Sequence, residues 1–178
     1  PDIVQKIFPA LLWLIFVFNI ALSFSRQLDA DMEYGAMDGL IVSRTSKTHI
    51  YLSKVIFSLL MITIIELLAT VFMCLMLNQP VLLILERYAL IIILVNIGLS
   101  SLATMLSPTT HYSRLKSALF PLLFMPLAVP LFLSGIELSY NSGIPEQISI
   151  YSQWLSFLIL IDLVYLVLGV NLFPHLLS

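Results

Sequence analysis

The chain has 178 residues, 60% of them hydrophobic and 10% charged, with a formal net charge of −2 and a mean hydropathy of +1.05. Soluble domains carry about a quarter charged residues, so this composition cannot clothe a water-facing surface, and the bilayer is its natural solvent. The slight negative charge excludes the basic field of a nucleic-acid-binding protein, and the lone Cys74, set in an apolar run, excludes an intrachain disulfide and reads as a core thiol.

A helix needs about 20 largely apolar residues to cross the hydrocarbon core. In chain order the sequence predicts spans at about 7–24, 50–77, 88–106, 115–133 and 151–173. No alternation of apolar and polar residues supports a barrel strand. The fold class expected is an all-α, polytopic membrane helix bundle forming one transmembrane domain over 1–178.

The first span carries Trp13 and Phe8, Phe16, Phe18 and Phe24, and leads into a polar stretch from Arg26 to His49. Within that stretch Met32, Ala36, Met37, Leu40 and Ile41 are spaced for one apolar face of a short helix over Asp31–Val42. Gly35 and Gly39 weaken it by roughly 1 kcal/mol each relative to alanine. The segment is therefore expected to lean on a membrane surface or a partner.

Basic residues orient the bundle. Arg26, Arg44, Lys47 and Lys54 lie in or beside the first connection, and Arg114 and Lys116 in the third. Arg87 is alone in the second, and the fourth, Gly135–Ile150, has none. The positive-inside rule makes the side with six of the eight bases cytoplasmic. Residues 1–6 then start outside, which suggests an earlier helix upstream; the chain opens at Pro1 with no basic leader, so no signal peptide is expected. Tyr88, Tyr140, Tyr151, Trp154 and Trp13 fall near the outer boundary and read as an aromatic belt.

Three features inside the spans invite functional readings. Glu66 and Asp162 lie mid-span, where a charge costs about 2.5–3.5 kcal/mol or more. Such groups face the bundle interior and find partners, with Asn96 and Asn19 as candidates. They read either as a polar path or latch, or as neutral acids that glue helices. Pro121, Pro126 and Pro130 are expected to break the fourth span, with Pro126 and Pro130 as the hinge, and the outer connection after it is long enough for a lateral cap helix. His49, His111 and His175 sit near the cytoplasmic side without shared spacing and read as surface or capping residues.

The stretch "RQLDADMEYGAMDGLIVSRTSKTHIYLSKVIF" resembles the first cytoplasmic loop of type-2 ABC exporter permeases. Gly35-Ala36-Met37-Asp38 stands where that class has Gly-Thr-Leu-Glu, and Lys54 where a lysine opens the next helix; the proline of the link is absent. "LFPLLFMPLAVPLFLSG", residues 119–135, and "PALLWLIFVFNIALSFSRQLDAD", residues 9–31, are similar to helices of the haem exporter B family (CcmB) of the cytochrome c maturation system. That family has six spans with both ends cytoplasmic, so this resemblance implies five of six, the first being absent. It also implies a non-catalytic permease subunit coupled to a cytoplasmic ABC ATPase through residues 26–49. Asp31, Met32, Glu33, Gly35, Met37, Asp38 and Leu40 would be the contact. Other membrane subunits, or a second copy, would complete the complex in a bacterial or mitochondrial inner membrane. Haem would be cargo of the complex, with no cofactor bound by this chain.

The absence of GxxxxGK[ST], HExxH, GxGxxG and a nucleophile elbow removes the usual signatures of ATP binding or hydrolysis by this chain itself. Three rival readings stand beside the permease. They are an exporter for a drug, lipid or polysaccharide, a membrane scaffold, and an intramembrane enzyme using Glu66 and Asp162.

Overall fold

The computed structural model describes residues 2–33, 39, 46–111, 116–142 and 144–176. Five long helices account for nearly all of these: α1 (Asp2–Glu33), α2 (Lys47–Met76), α3 (Val81–His111), α4 (Lys116–Asn141) and α5 (Ile148–Leu176). Each contains a stretch long and apolar enough to cross a membrane. No strand occurs among the described residues.

α3 is the hub. It packs along α2, α4 and α5, and 72% of its span is enclosed, against 17% of α5. On it Ile91, Ile92, Val95, Leu99 and Leu102 are all buried. Its small residues Gly98, Ser100, Ser101, Ala103 and Thr104 let neighbouring backbones approach. The hydroxyls do not stay unpaired in this apolar setting. Ser100 Oγ donates to the Ile97 carbonyl (3.1 Å) and Thr104 Oγ1 to the Ser100 carbonyl (2.7 Å).

α1 leans chiefly on α4 and touches α2 and α3 only lightly, whereas α2 packs on α3 and α5. The two helices joined by residues 34–46 thus belong to different parts of the bundle. Arg26 through Glu33 continue α1 as helix, so the expected loop starting at Arg26 is shorter, and α2 starts at Lys47 rather than at residue 50. Polar residues beyond the apolar core do not stop a helix whose backbone bonds are satisfied internally.

The second connection is a tight turn. Asn78 takes a positive φ of 52°; Asn78 N donates to the Leu75 carbonyl (3.4 Å) and Gln79 N to the Cys74 carbonyl (2.8 Å). This is the paired arrangement that closes a helix on a left-handed residue, with Pro80 after it to prevent continuation. α3 starts at once at Val81, well before residue 88.

Two expectations for the fourth span are corrected. α4 is one continuous helix through Pro121, Pro126 and Pro130. Prolines are tolerated in buried membrane helices when neighbours satisfy the freed backbone groups. The carbonyls these prolines free are those of residues 117, 122 and 126; close by, Tyr165 of α5 donates to the Leu127 carbonyl (2.7 Å), and Ser134 Oγ to the Pro130 carbonyl (2.7 Å). α4 also runs on to Asn141, and no lateral cap helix occurs among the described residues of the outer connection. It holds a single 3-10 turn at Pro145–Gln147 before α5.

The aromatic belt is corrected in part. Trp13 is 1% exposed and donates from Nε1 to Ser139 Oγ (2.9 Å) across to α4, and Tyr88 is also buried. A buried indole needs a partner for its N–H, and Ser139 supplies it. Tyr140 is exposed, and Tyr151 and Trp154 are half-buried, as belt residues can be. Cys74 is a buried free thiol, as the sequence implies.

Candidate functional site

The central helix carries polar groups on two opposite sides. Asn96 and Gly98 are two residues apart, which separates them by about 200° around the axis and only about 3 Å along it. Asn96 looks toward α2 and meets Glu66. Gly98 looks toward α4 and α5 and meets Asp162 and Leu131. Both mid-span acids therefore reach α3 at one level, from different helices.

Glu66 and Asn96 are completely buried. Asn96 Nδ2 donates to Glu66 Oε2 (2.7 Å) and to Thr63 Oγ1 (3.1 Å). Thr70 Oγ1 donates to the Glu66 backbone carbonyl (2.7 Å). Among the described residues Glu66 Oε1 and Asn96 Oδ1 have no hydrogen-bond partner. Asn19, the other expected partner, lines a narrow crevice with Ile20, Ser23, Ile62, Ile65 and Glu66, but makes no bond to the acid. Half of the predicted pairing is thus realised, through Asn96.

Asp162 is buried, and its Oδ1 is unbonded. It rests against the bare α-carbon of Gly98, where an added Cβ would collide with Oδ1 and with Leu131. The missing side chain on α3 is what makes room for a carboxyl from α5. An unpartnered buried polar group costs about 1–3 kcal/mol. Such groups in membrane helices mark functional places more often than elsewhere.

A second polar knot ties the other end of the bundle. The Tyr51 hydroxyl shares a 2.5 Å hydrogen bond with Ser101 Oγ, its ring lies 5.3 Å from Phe173, and it fills the space left by Gly169. Lys47 Nζ donates to the Pro174 carbonyl (3.2 Å). The start of α2 is thereby fastened to the end of α5 and to α3. Sequence reasoning missed this knot. The available signal was a run of small residues, Gly98-x-Ser-Ser-x-Ala, inside an apolar span, which marks close helix approach.

The residues assigned to ATPase coupling are only partly placed. Asp31, Met32 and Glu33 end α1. Gly35, Met37, Asp38 and Leu40 lie outside the described residues. Of that stretch Gly39 is described; it is exposed, with open space about its α-carbon. Pro126 and Pro130 lie within α4, beside the α5 contact at Tyr165. His49 and His175 are exposed. Among the described residues no three His, Cys, Asp or Glu side chains converge as a metal site would need.

Five long apolar helices around a hub that seats acids from two neighbours define a multi-pass helical membrane protein with a polar interior. The family model described as CcmB protein matches residues 1–177, and the chain belongs to that family. It is accordingly a membrane component of the haem-export ABC system of cytochrome c maturation. Comparison with curated proteins and with solved structures gives no match.

Proposed function

We infer that this chain is the permease subunit through which a separate ATPase drives haem export, or release of a haem-loaded chaperone. The ATPase grips residues 26–49. The family match over 1–177 carries this reading, and the packing supports it. The segment joins α1, which leans on α4, to α2, which is fastened to α3 and α5. A push on it would shift one group of helices against the other, in the manner of a rigid-body switch.

Asp31, Glu33 and Asp38 would pair with bases on the ATPase, and Met37 and Leu40 would fill an apolar cleft on it. Haem is cargo here, and this chain contributes the moving wall rather than the chemistry. Glu66 and Asp162 lie on either side of α3, so motion of α2 or α5 would change what each acid meets.

The test is co-purification. Met37→Glu and Leu40→Glu should each release the ATPase from the membrane complex and abolish ATP-dependent cytochrome c maturation, while the chain still inserts in the membrane. Retention of the ATPase by both variants would defeat the coupling assignment.

A further inference from the structure

The end of the bundle opposite Lys47 holds a small polar cleft. It lies between the start of α1, the Asn78–Pro80 turn and the first two turns of α3, and has a volume of about 180 Å³. Gln79, Arg87 and Tyr88 supply its polar lining, with Phe8, Leu83 and Ile84 as walls. Among the described residues no carboxylate lines it.

The three polar groups are donors with capacity to spare. Arg87 has no ion pair among the described residues, and Glu86 beside it points round the helix and does not line the cleft. Gln79 Nε2 spends one hydrogen on the Leu77 carbonyl (3.3 Å). Tyr88 is 8% exposed, yet its hydroxyl makes no hydrogen bond among the described residues. A guanidinium, an amide and a phenol lining one space suit an anion with several acceptor oxygens. The volume is below the roughly 300–1,000 Å³ of a drug-sized pocket, so it suits one small headgroup.

Depth favours a lipid as the source of that group. The span Val81–Pro108 has 28 residues, or about 42 Å at 1.5 Å each. That exceeds the hydrocarbon core of about 30 Å by about 6 Å at each end if centred. Arg87 lies about 9 Å from the start of α3, close to the boundary between headgroups and acyl chains. Flanking the turn in sequence, Leu75, Met76 and Leu82 are 63%, 66% and 87% exposed, apolar surface on which acyl chains can lie.

We propose that Gln79, Arg87 and Tyr88 form a seat for the phosphate of an anionic phospholipid, held at the turn between α2 and α3. The seat does not depend on ATPase coupling, and either assignment can fail without the other.

The experiment is native mass spectrometry of the whole complex with added phosphatidylglycerol. Wild-type complex should retain bound lipid. Arg87→Gln should lower its apparent affinity about fivefold, the effect expected of one basic residue at an anionic surface. Arg87→Lys should fall between the two, because a point charge replaces a two-pronged donor, and Tyr88→Phe should weaken retention without altering ATPase retention. Millimolar inorganic phosphate should not displace the lipid. Displacement by phosphate would overturn the lipid assignment in favour of a free anion, and equal retention by wild type and Arg87→Gln would overturn the seat itself.

Discussion

Glu66 shows how a buried acid can be half-satisfied. One carboxyl oxygen accepts a hydrogen bond from Asn96, while the other, like the Asn96 carbonyl oxygen, has no partner among the described residues. Glu66→Gln adds a donor without changing shape, so the amide can serve Asn96 Oδ1. Its thermal unfolding midpoint in detergent should equal or exceed that of wild type. Asn96→Leu removes the donor and should destabilise by about 1–3 kcal/mol. If Glu66→Gln keeps stability and loses maturation activity, the acid serves transport; if it keeps both, the acid is glue. Gly98 gives a second test at this scale. Gly98→Ala drives a methyl into Asp162 and Leu131 and should destabilise by about 1–3 kcal/mol, the usual range for overpacking. Gly98→Ala combined with Asp162→Ala should be less damaging than the sum of the two single changes, with a coupling of at least 0.5 kcal/mol. Strict additivity would show that the two residues do not share space.

Helices rather than residues decide how prolines act here. Residue statistics alone make Pro121, Pro126 and Pro130 a break, since each removes a backbone hydrogen bond. α4 nevertheless continues as one helix, tied to α5 by the Tyr165 bond to the Leu127 carbonyl, with Ser134 and Ser139 bonding back to the Pro130 and Gly135 carbonyls after the proline sites. Tyr165→Phe deletes the link to the Leu127 carbonyl and should cost about 0.6 kcal/mol, the mean for interhelical hydrogen bonds in membranes. If α4 bends during transport, Pro126→Ala and Pro130→Ala should stiffen it, slowing maturation while leaving the unfolding midpoint within about 1 kcal/mol of wild type. Trp13 makes the same point in another way. Placed near a span end it reads as a belt residue, but its indole is drawn inward by Ser139 and by the space over Gly135.

Across the molecule, the bundle is stitched at two ends by different means. At one end Lys47 and Tyr51 fasten α2 to α5 and α3; at the other, α1 is pinned to α4 by Trp13 and Ser139. Lys47→Ala should therefore raise amide hydrogen exchange at residues 172–176 and leave the α2–α3 turn unchanged. A uniform rise across all helices would mean that the lysine supports the whole fold instead. Because α2 is fastened to α5 and α3 at its start, whereas α1 leans chiefly on α4, force applied between them should act on α1 and α2 unequally.

Much of this was legible without coordinates. Apolar runs of the required length define five spans because a bilayer leaves a helix no other way to satisfy its backbone. The mid-span acids point to a polar interior for the same reason, with Asn96 as a partner. The layout around Gly35–Asp38 resembles a type-2 ABC permease loop, and residues 119–135 and 9–31 narrow that to the CcmB family, whose model matches residues 1–177. What tertiary structure alone decided is which faces meet. Lipid is as apolar as leucine, so hydropathy cannot distinguish a lipid-facing residue from a core one, and helix pairing rests on small residues and a few hydrogen bonds distant in sequence. The hub role of α3, the seats made by Gly98 and Gly135, and the inward turn of Trp13 all depend on contacts between residues tens of positions apart, and packing alone supplies them.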